Sequence, residues 1–364
     1  MAETDKQKQI PWRALTMVGA LLLIWAIFSF TTEGTFLSPR NLSLLLRQMS
    51  VTSILAVGMV LVIVAGQIDL SVGAMTGFLG AISALLFVNH GWPLWAAFAM
   101  TILCGAFLGH VQGHLVTWFN IPSFIVTLGG MLVYQGCLLG FTGGVSISPT
   151  PDYLFVGQAF IPKTLGWGLA VLLTLFFIYQ FRRDAGNRWK WAVLVVLIWA
   201  VTAVLNAYDG VPLPVLIMLF LAMIFSIMAN QTPFGRHLYA IGGNKEAAFY
   251  SGINIERHLV LVFTLMGALC GVVGIVLTAR VGAATSDAGH MMELDAIAAA
   301  VIGGTSLMGG RGTVWGALLG ALIMASLDNG MSLMNTEAFW QPIIKGGILI
   351  IAVALDMMGR KGKS

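Results

Sequence analysis

Few side chains in this sequence could do chemistry, and those few fall at helical spacings. His110 and His114 lie four residues apart, on one helical face, as two metal ligands would. No Glu stands between them in the H-E-x-x-H pattern and no third ligand is visible nearby, so they read as a polar seam or helix end, and no metal is expected. Asp69 and Ser71, in Ile68-Asp69-Leu70-Ser71, sit between two apolar runs, where an ionisable group is costly enough to suggest a function. Two readings stand: a cap for the next helix, or a polar wall where solute hydroxyls exchange hydrogen bonds. Glu293 and Asp295 open a short run whose far end is Gly303-Gly304 and Gly309-Gly310-Arg311-Gly312. They could stand at the outer mouth of a flexible gate, or serve as N-cap and first-turn residues stabilised by the helix dipole. No nucleophile–base pair or metal triad is present, which argues against an enzyme. The glycine string is no dinucleotide fingerprint, since no strand precedes it, and no G-x-x-x-x-G-K-[ST] occurs, so any ATP must be hydrolysed elsewhere.

Such residues need a frame, and composition names its kind. The chain has 364 residues, 58% hydrophobic and 9% charged, with a mean hydropathy of +0.89; soluble domains carry about 25% charged residues. The 43 Gly and 11 Trp suit helices packed closely in lipid and anchored at its interfaces. The net charge of +4 comes from 19 Lys and Arg scattered through short loops, which argues for membrane topology and against nucleic acid. Cys104, Cys137 and Cys270 all lie inside apolar runs and read as packing residues.

A crossing needs about 20 mostly apolar residues. Candidate spans are 14–30, 44–65, 72–88, 94–118, 122–141, 165–180, 191–207, 213–230, 259–280, 294–308, 313–328 and 341–357. The first follows Lys6, Lys8 and Arg13 as in a signal peptide, but no small-residue cleavage site follows it, so it is expected to remain. The fold class is therefore an all-α polytopic membrane protein of about 10–12 transmembrane helices, including a short or re-entrant one at 294–308. With the N-terminus inside, twelve crossings put most basic residues on the cytoplasmic side and only Arg40 and Lys163 outside. Both termini are expected in the cytoplasm: 1–13 as the N-terminal segment, 14–357 as a single transmembrane domain, 358–364 as the tail. Gly73, Gly77 and Gly80 echo Gly312, Gly316 and Gly320, either as an internal repeat or as ordinary small-residue packing faces. Asp328-Asn329-Gly330 reads as the end of a span, and Asp356 with Arg360 as an interfacial pair.

The cytoplasmic loop 231–258 holds a short helix of its own. Asn244 can cap it, Glu246 complements its positive end, and Gly252 can end it in the left-handed conformation. Between them lie Lys245, Ala247, Ala248, Phe249, Tyr250 and Ser251. A helix of one to two turns is marginal alone in water. It makes sense docked, either on its own protein or in a partner's groove.

The run Thr232-Pro-Phe-Gly-Arg, followed by Tyr-Ala-Ile-Gly-Gly-Asn, Ala247-Ala248 and Ser251-Gly-Ile, resembles the cytoplasmic loop of sugar permeases in ABC importers of the ribose/xylose branch. Asn41 to Arg47, Ala56-Val-Gly-Met, Ile68 to Gly73, Ile121 to Gly130 (which holds Thr127), Leu294 to Ala299 and Val301 to Gly310 extend the resemblance over about residues 35–357. One departure is Gln112, where many members have Asn. The resemblance implies a type II ABC-importer-like fold in the bacterial inner membrane, surrounded by lipid, and two permease copies forming the path. It also implies a periplasmic sugar-binding protein, and a cytoplasmic ATP-binding subunit that carries ATP-Mg and pushes on residues 244–252, with no cofactor on this chain. Asp69, Ser71, Thr127, Glu293 and Asp295 are the expected path residues. The alternative is an ion-coupled secondary sugar transporter using Asp69 or Glu293 as the ion site.

Overall fold

The computed structural model describes residues 12–183 and 188–361, with side chains over 16–179 and 191–354. The side chains of the terminal segments 1–13 and 358–364, and of the Asp356–Arg360 pair, lie outside the described residues. In chain order the helices are α1 (Trp12–Thr31), α2 (Pro39–Val64), α3 (Val72–Ala84), α4 (Leu94–Trp118), α5 (Ser123–Thr142), α6 (Pro151–Gln158), α7 (Lys163–Arg183) and α8 (Arg188–Asn206). There follow α9 (Leu213–Gln231), α10 (Pro233–Gly243), α11 (Lys245–Tyr250), α12 (Ile255–Val281), α13 (Met292–Ile302), α14 (Val314–Leu333) and α15 (Trp340–Lys361). A small antiparallel pair joins β1 (Phe160–Ile161) to β2 (Val211–Pro212), with Phe160 opposite Pro212.

Among the described residues seven helices are long and apolar enough to cross a membrane, and four shorter apolar helices lie in α1, α7, α8 and α15. Eleven of the twelve expected spans fall on a helix, and 294–308 does so only as far as Ile302. The chain is a multi-pass membrane protein built almost wholly from helices. Local signals set several ends: Ser38 accepts from the Asn41 N–H with Pro39 in the first turn of α2, Thr313 accepts from the Gly316 N–H at the start of α14, and left-handed Gly282 stops α12.

Burial is uneven. The apolar stretch of α2 is 83% buried and those of α12 and α14 are 72%, whereas that of α5 is only 17%. The centre is held by close approach of backbones. Gly105, Gly109 and Gly113 recur every fourth residue on α4, and a Cβ at the first two would strike the carbonyls of Gly267 and Phe263, and at the third the Val260 backbone. Gly267 and Gly271 on α12 face Gly105 and the Ile102 backbone in return. This is the small-xxx-small packing by which helices associate in lipid, where apolar side chains gain little from leaving the solvent.

Two crossings are broken. After α2 the chain turns through left-handed Gly66 and rises as a non-helical segment to α3. After α12 it passes Ala284, paired with Ile147, and then Ala288 and Gly289 pack against Gly77 and Gly73 of α3. α13 begins there and has 11 residues, about 16 Å, half of the hydrocarbon thickness. The other half of that crossing is the non-helical stretch 282–291 before α13, and 303–313, with left-handed Gly304, Gly309 and Gly310, turns the chain back into α14 beside Val64 and Gly242. The short re-entrant helix expected at 294–308 is thus a half-helix, preceded by non-helical backbone and followed by a turn. The echoing glycines are packing positions: Gly73 and Gly77 meet 288–293, Gly316 meets Gly303, and Gly320 meets Ala299.

Candidate functional site

The described structure has one end carrying α10 and α11 and the other carrying α6 and the β1–β2 pair. At the α11 end, Thr232 starts α10 by accepting from the Gly235 N–H at 3.3 Å, with Pro233 in its first turn. The loop 231–258 therefore holds two helices where the sequence suggested one. Asn244 Oδ1 accepts from the Ala247 N–H at 2.9 Å and caps α11, and Glu246 lies in its first turn. At the far end Ile253 N–H donates to the Ala248 carbonyl at 3.1 Å and Gly252 N–H to Phe249 at 2.9 Å, with Gly252 at φ 81°. This is a Schellman-type stop that satisfies the last carbonyls. Ser251 Oγ donates to the Ala247 carbonyl at 2.8 Å, and Asn254 at once caps α12. Ala248 points inward and is buried, while Lys245 and Glu246 are exposed and Phe249 and Tyr250 stand out at 65% and 85% exposure. Two aromatic rings in solvent on a six-residue helix are an apolar patch that the helix does not itself cover.

α11 is tied to the broken crossings through α10. A Cβ at Gly242 would strike the Val64 carbonyl at the end of α2 and lie 2.7 Å from the Gly310 nitrogen. Gly310 N–H donates to that same Val64 carbonyl at 2.9 Å, and the Tyr239 hydroxyl donates to the Gly312 carbonyl at 2.8 Å. Burial pushes the Tyr239 phenol above its usual range, which keeps it a donor. His237 and His258 meet at 3.0 Å and join α10 to α12. α10 thus packs directly on the end of α2 and on the 303–313 segment. A cleft of about 670 Å³ opens beside α11, lined by Gln67, Asn120, Ser123, Lys245, Phe249 and Glu256 among others.

The other broken segment is held by α5. Ser123 Oγ accepts from the Ile68 N–H at 3.1 Å, and Thr127 Oγ1 accepts from the Leu70 N–H at 3.0 Å while donating to the Ser123 carbonyl at 2.9 Å. Asp69 is 1% exposed. Its Oδ1 accepts from the Ser71 hydroxyl at 2.6 Å and the Ser71 N–H at 2.9 Å, and Gln112 Nε2 donates to Ser71 Oγ at 2.9 Å. Asp69 thus closes the turn before α3 rather than accepting from a free N–H inside the helix. Glu293 and Asp295 lie in the first turn of α13, and Glu293 faces Gly73 of α3. Asp295 sits 3.0 Å from Lys345 of α15, and Lys345 sits 2.9 Å from Asp328 of α14. One cation thereby joins three helices against two carboxylates. Among the described residues no three His, Cys, Asp or Glu side chains converge as a metal site.

Comparison with known proteins adds the decisive observation. The family described as "Branched-chain amino acid transport system / permease component" matches residues 41–353. The chain belongs to this family. It is 46% identical to the xylose transport system permease protein XylH of Escherichia coli strain K12, over 96% of this chain and 93% of that protein. It is 43% identical to the protein of the same name in Haemophilus influenzae, over 98% and 99%, and 36% identical to the ribose import permease protein RbsC of Bacillus subtilis, over 92% and 90%. No solved structure matches. A transport permease rather than an enzyme is what these relationships establish.

Within this permease, several residues escaped sequence reasoning. Gln112, read only as a departure in packing, anchors Ser71. Asp328 does not end a span: it lies inside α14, which runs on to Leu333, because Lys345 neutralises it and Asn41 and Asn329 bond each other at 2.8 Å and 3.1 Å. A lysine within an apolar run was the available signal, since such a charge persists only with a partner. Tyr239 and Gly242 carried no signal, because their partners lie more than 60 residues away.

Proposed function

We propose that this chain is the membrane permease subunit of an ATP-driven ABC importer for D-xylose or a related pentose. Two copies form the path in the bacterial inner membrane, with both termini in the cytoplasm. The α11 end then faces a cytoplasmic ATP-binding subunit that carries ATP-Mg, and the α6 end faces a periplasmic sugar-binding protein. The observation that carries the reading is α11 itself: capped at both ends, aromatic and exposed, and joined through Gly242 to Val64 and Gly310. The names of the relatives supply the sugar. Closure of the ATPase pushes residues 244–252, and α10 passes the push to the end of α2 and to 303–313. The α3 and α13 half-crossings then move relative to each other, with Asp69, Ser71, Thr127, Glu293 and Asp295 fixing the ends of those segments beside the path.

The second copy and the lipid share the outer faces. α5 is the least buried of the seven long spans, and no atom lies within 4 Å of a Cβ placed at Gly129, Gly136 or Gly140. Open glycines on an exposed helix suit close approach by another helix. Selectivity rests mainly with the binding protein, because a tight intramembrane site would hold the sugar and slow release, and no aromatic-plus-carboxylate sugar clamp lines the spans among the described residues. No observation favours ion coupling.

Proteoliposomes test the reading. Permease with its ATPase, binding protein and ATP should accumulate sugar, and permease alone under an imposed proton or sodium gradient should not; accumulation in the second case overturns it. Gly136→Cys should form a copy-to-copy disulfide under mild oxidation in membranes, and a chain that stays monomeric counts against α5 as the shared face.

A further inference from the structure

We propose that Arg47 and Arg280 together hold a phosphate oxyanion, the headgroup of a membrane phospholipid or free phosphate, at the α6 end of the protein. Arginine stays charged at any working pH, and here two of them meet. Arg47 lies on α2, and its Nη2 donates to the Gly157 carbonyl at 3.0 Å. Gly157 in turn rests so closely on the Ala279–Arg280 backbone that a Cβ there would strike the Arg280 nitrogen. Both arginines thus gather about one residue of α6, and their charges repel each other.

Little in the protein answers these charges. Among the described residues no carboxylate forms an ion pair with either guanidinium; the ion pairs present both belong to Lys345. The Nε atoms of Arg47 and Arg280 are each buried without a hydrogen-bond partner. Arg47 has the Gly157 carbonyl and the Phe160 ring, whose centroid lies 5.4 Å from the guanidinium carbon. Arg280 stands in the last turn of α12, where the helix end offers about half a negative charge. A carbonyl, a ring and a helix dipole leave most of two positive charges without a counter-charge, in a place where charge is costly. Both residues keep partial exposure, so an anion can meet their outer nitrogens.

The chemistry of the pair selects that anion. A phosphate group offers an oxygen to each guanidinium and matches the planar fork of arginine. Depth favours the same class. Arg47 stands 17 residues before Val64 on α2, about 26 Å along the helix axis, near the far edge of a hydrocarbon layer about 30 Å thick, beyond which phospholipid phosphates lie. Arg280 is one residue from the end of α12. Gly157 and Phe160 belong to the α6–β1 stretch at this end, so a carboxylate on a soluble partner would meet that stretch first, whereas a headgroup already lies level with the pair. The site stands apart from α11 and Asp69, and its test does not depend on transport.

The test uses the full-length chain. Extracted in mild detergent and weighed by native mass spectrometry, the parent should keep one phospholipid per chain more than Arg47→Gln or Arg280→Gln, whose retention falls about tenfold on loss of one charge-assisted contact. Arg40→Gln, on the exposed first turn of α2, should retain lipid like the parent. After delipidation, phosphatidylglycerol and sodium phosphate are added separately and the thermal midpoint is read. A rise with the lipid alone assigns the headgroup, a rise with phosphate as well assigns the free ion, and both rises should vanish in the Gln variants. If those variants do not fold, Arg47→Lys and Arg280→Lys keep the charge, lose the fork and should show a smaller rise than the parent. No rise with either ligand, a rise that persists undiminished in the variants, or equal lipid retention by parent and variants overturns the proposal. So does weaker binding of the sugar-binding protein with lipid and phosphate responses unchanged, which would give the pair to a protein carboxylate.

Discussion

Removing the cap of α11 gives the most direct test of how the push enters the membrane. Asn244 Oδ1 accepts from the Ala247 N–H at 2.9 Å on an exposed helix of six residues. Replacing such a cap by Ala costs about 1 kcal/mol, which at room temperature lowers the ratio of formed to frayed helix about fivefold. A helix this short is marginal on its own; with docking bringing it near balance, the formed fraction should drop from about one half to about one sixth. Only Ala248 anchors it inward. Sugar uptake and sugar-stimulated ATP hydrolysis by the reconstituted complex should therefore fall about threefold in Asn244→Ala. Asn244→Asp keeps an acceptor of equal capping strength and should stay close to the parent. The assay is initial uptake rate in proteoliposomes at matched protein content, with hydrolysis by the isolated ATPase as baseline. The reasoning fails if Asn244→Ala transports like the parent, or if Asn244→Asp is as impaired as Ala.

Other outcomes follow from the same geometry. Gly109→Leu would drive a side chain into the Phe263 carbonyl and should destabilise the chain by about 1–3 kcal/mol, read as a lower midpoint in a thermal scan in detergent. Lys345→Met leaves Asp295 and Asp328 facing each other; because the three side chains keep 15–22% exposure, the loss should be about 2 kcal/mol, below that of a fully buried pair, and adding Asp295→Asn with Asp328→Asn should recover most of it. Asp69→Asn preserves the acceptor for Ser71 and should retain most transport, whereas Asp69→Ala strips both bonds and should cost about 1–3 kcal/mol of stability; abolished uphill uptake in Asp69→Asn with normal stability would point back to ion coupling.

The crossings were legible because each needs a long apolar run, and the two ends of α11 were legible because caps and a left-handed glycine act within a few residues. The run 294–308 was expected as a short or re-entrant helix, and its helix stops at Ile302, since Gly303 meets the Gly316 backbone and the chain must turn to reach Val64. Elsewhere the same rules misplace an element. Asp328 reads as a terminus until Lys345 is brought beside it from 17 residues on. α6 and the β1–β2 pair sit in stretches where no periodicity or apolar run announces them. What joins the site, Gly242 to Val64, Gln112 to Ser71 and Tyr239 to Gly312, depends on tertiary neighbours far apart in the chain.

The meeting of α4 and α12 limits where this protein can bend. Where main chain rests on main chain there are no rotamers to reshuffle, so neither helix can ratchet past the other by a fraction of a turn without lifting off entirely. The two behave as one beam. Flexure is left to the joints at Gly66 and at Gly304, Gly309 and Gly310, whose left-handed backbones carry no Cβ to resist rotation. Stiffening those joints, for example with Ala at Gly304, would slow the working stroke while leaving the beam intact.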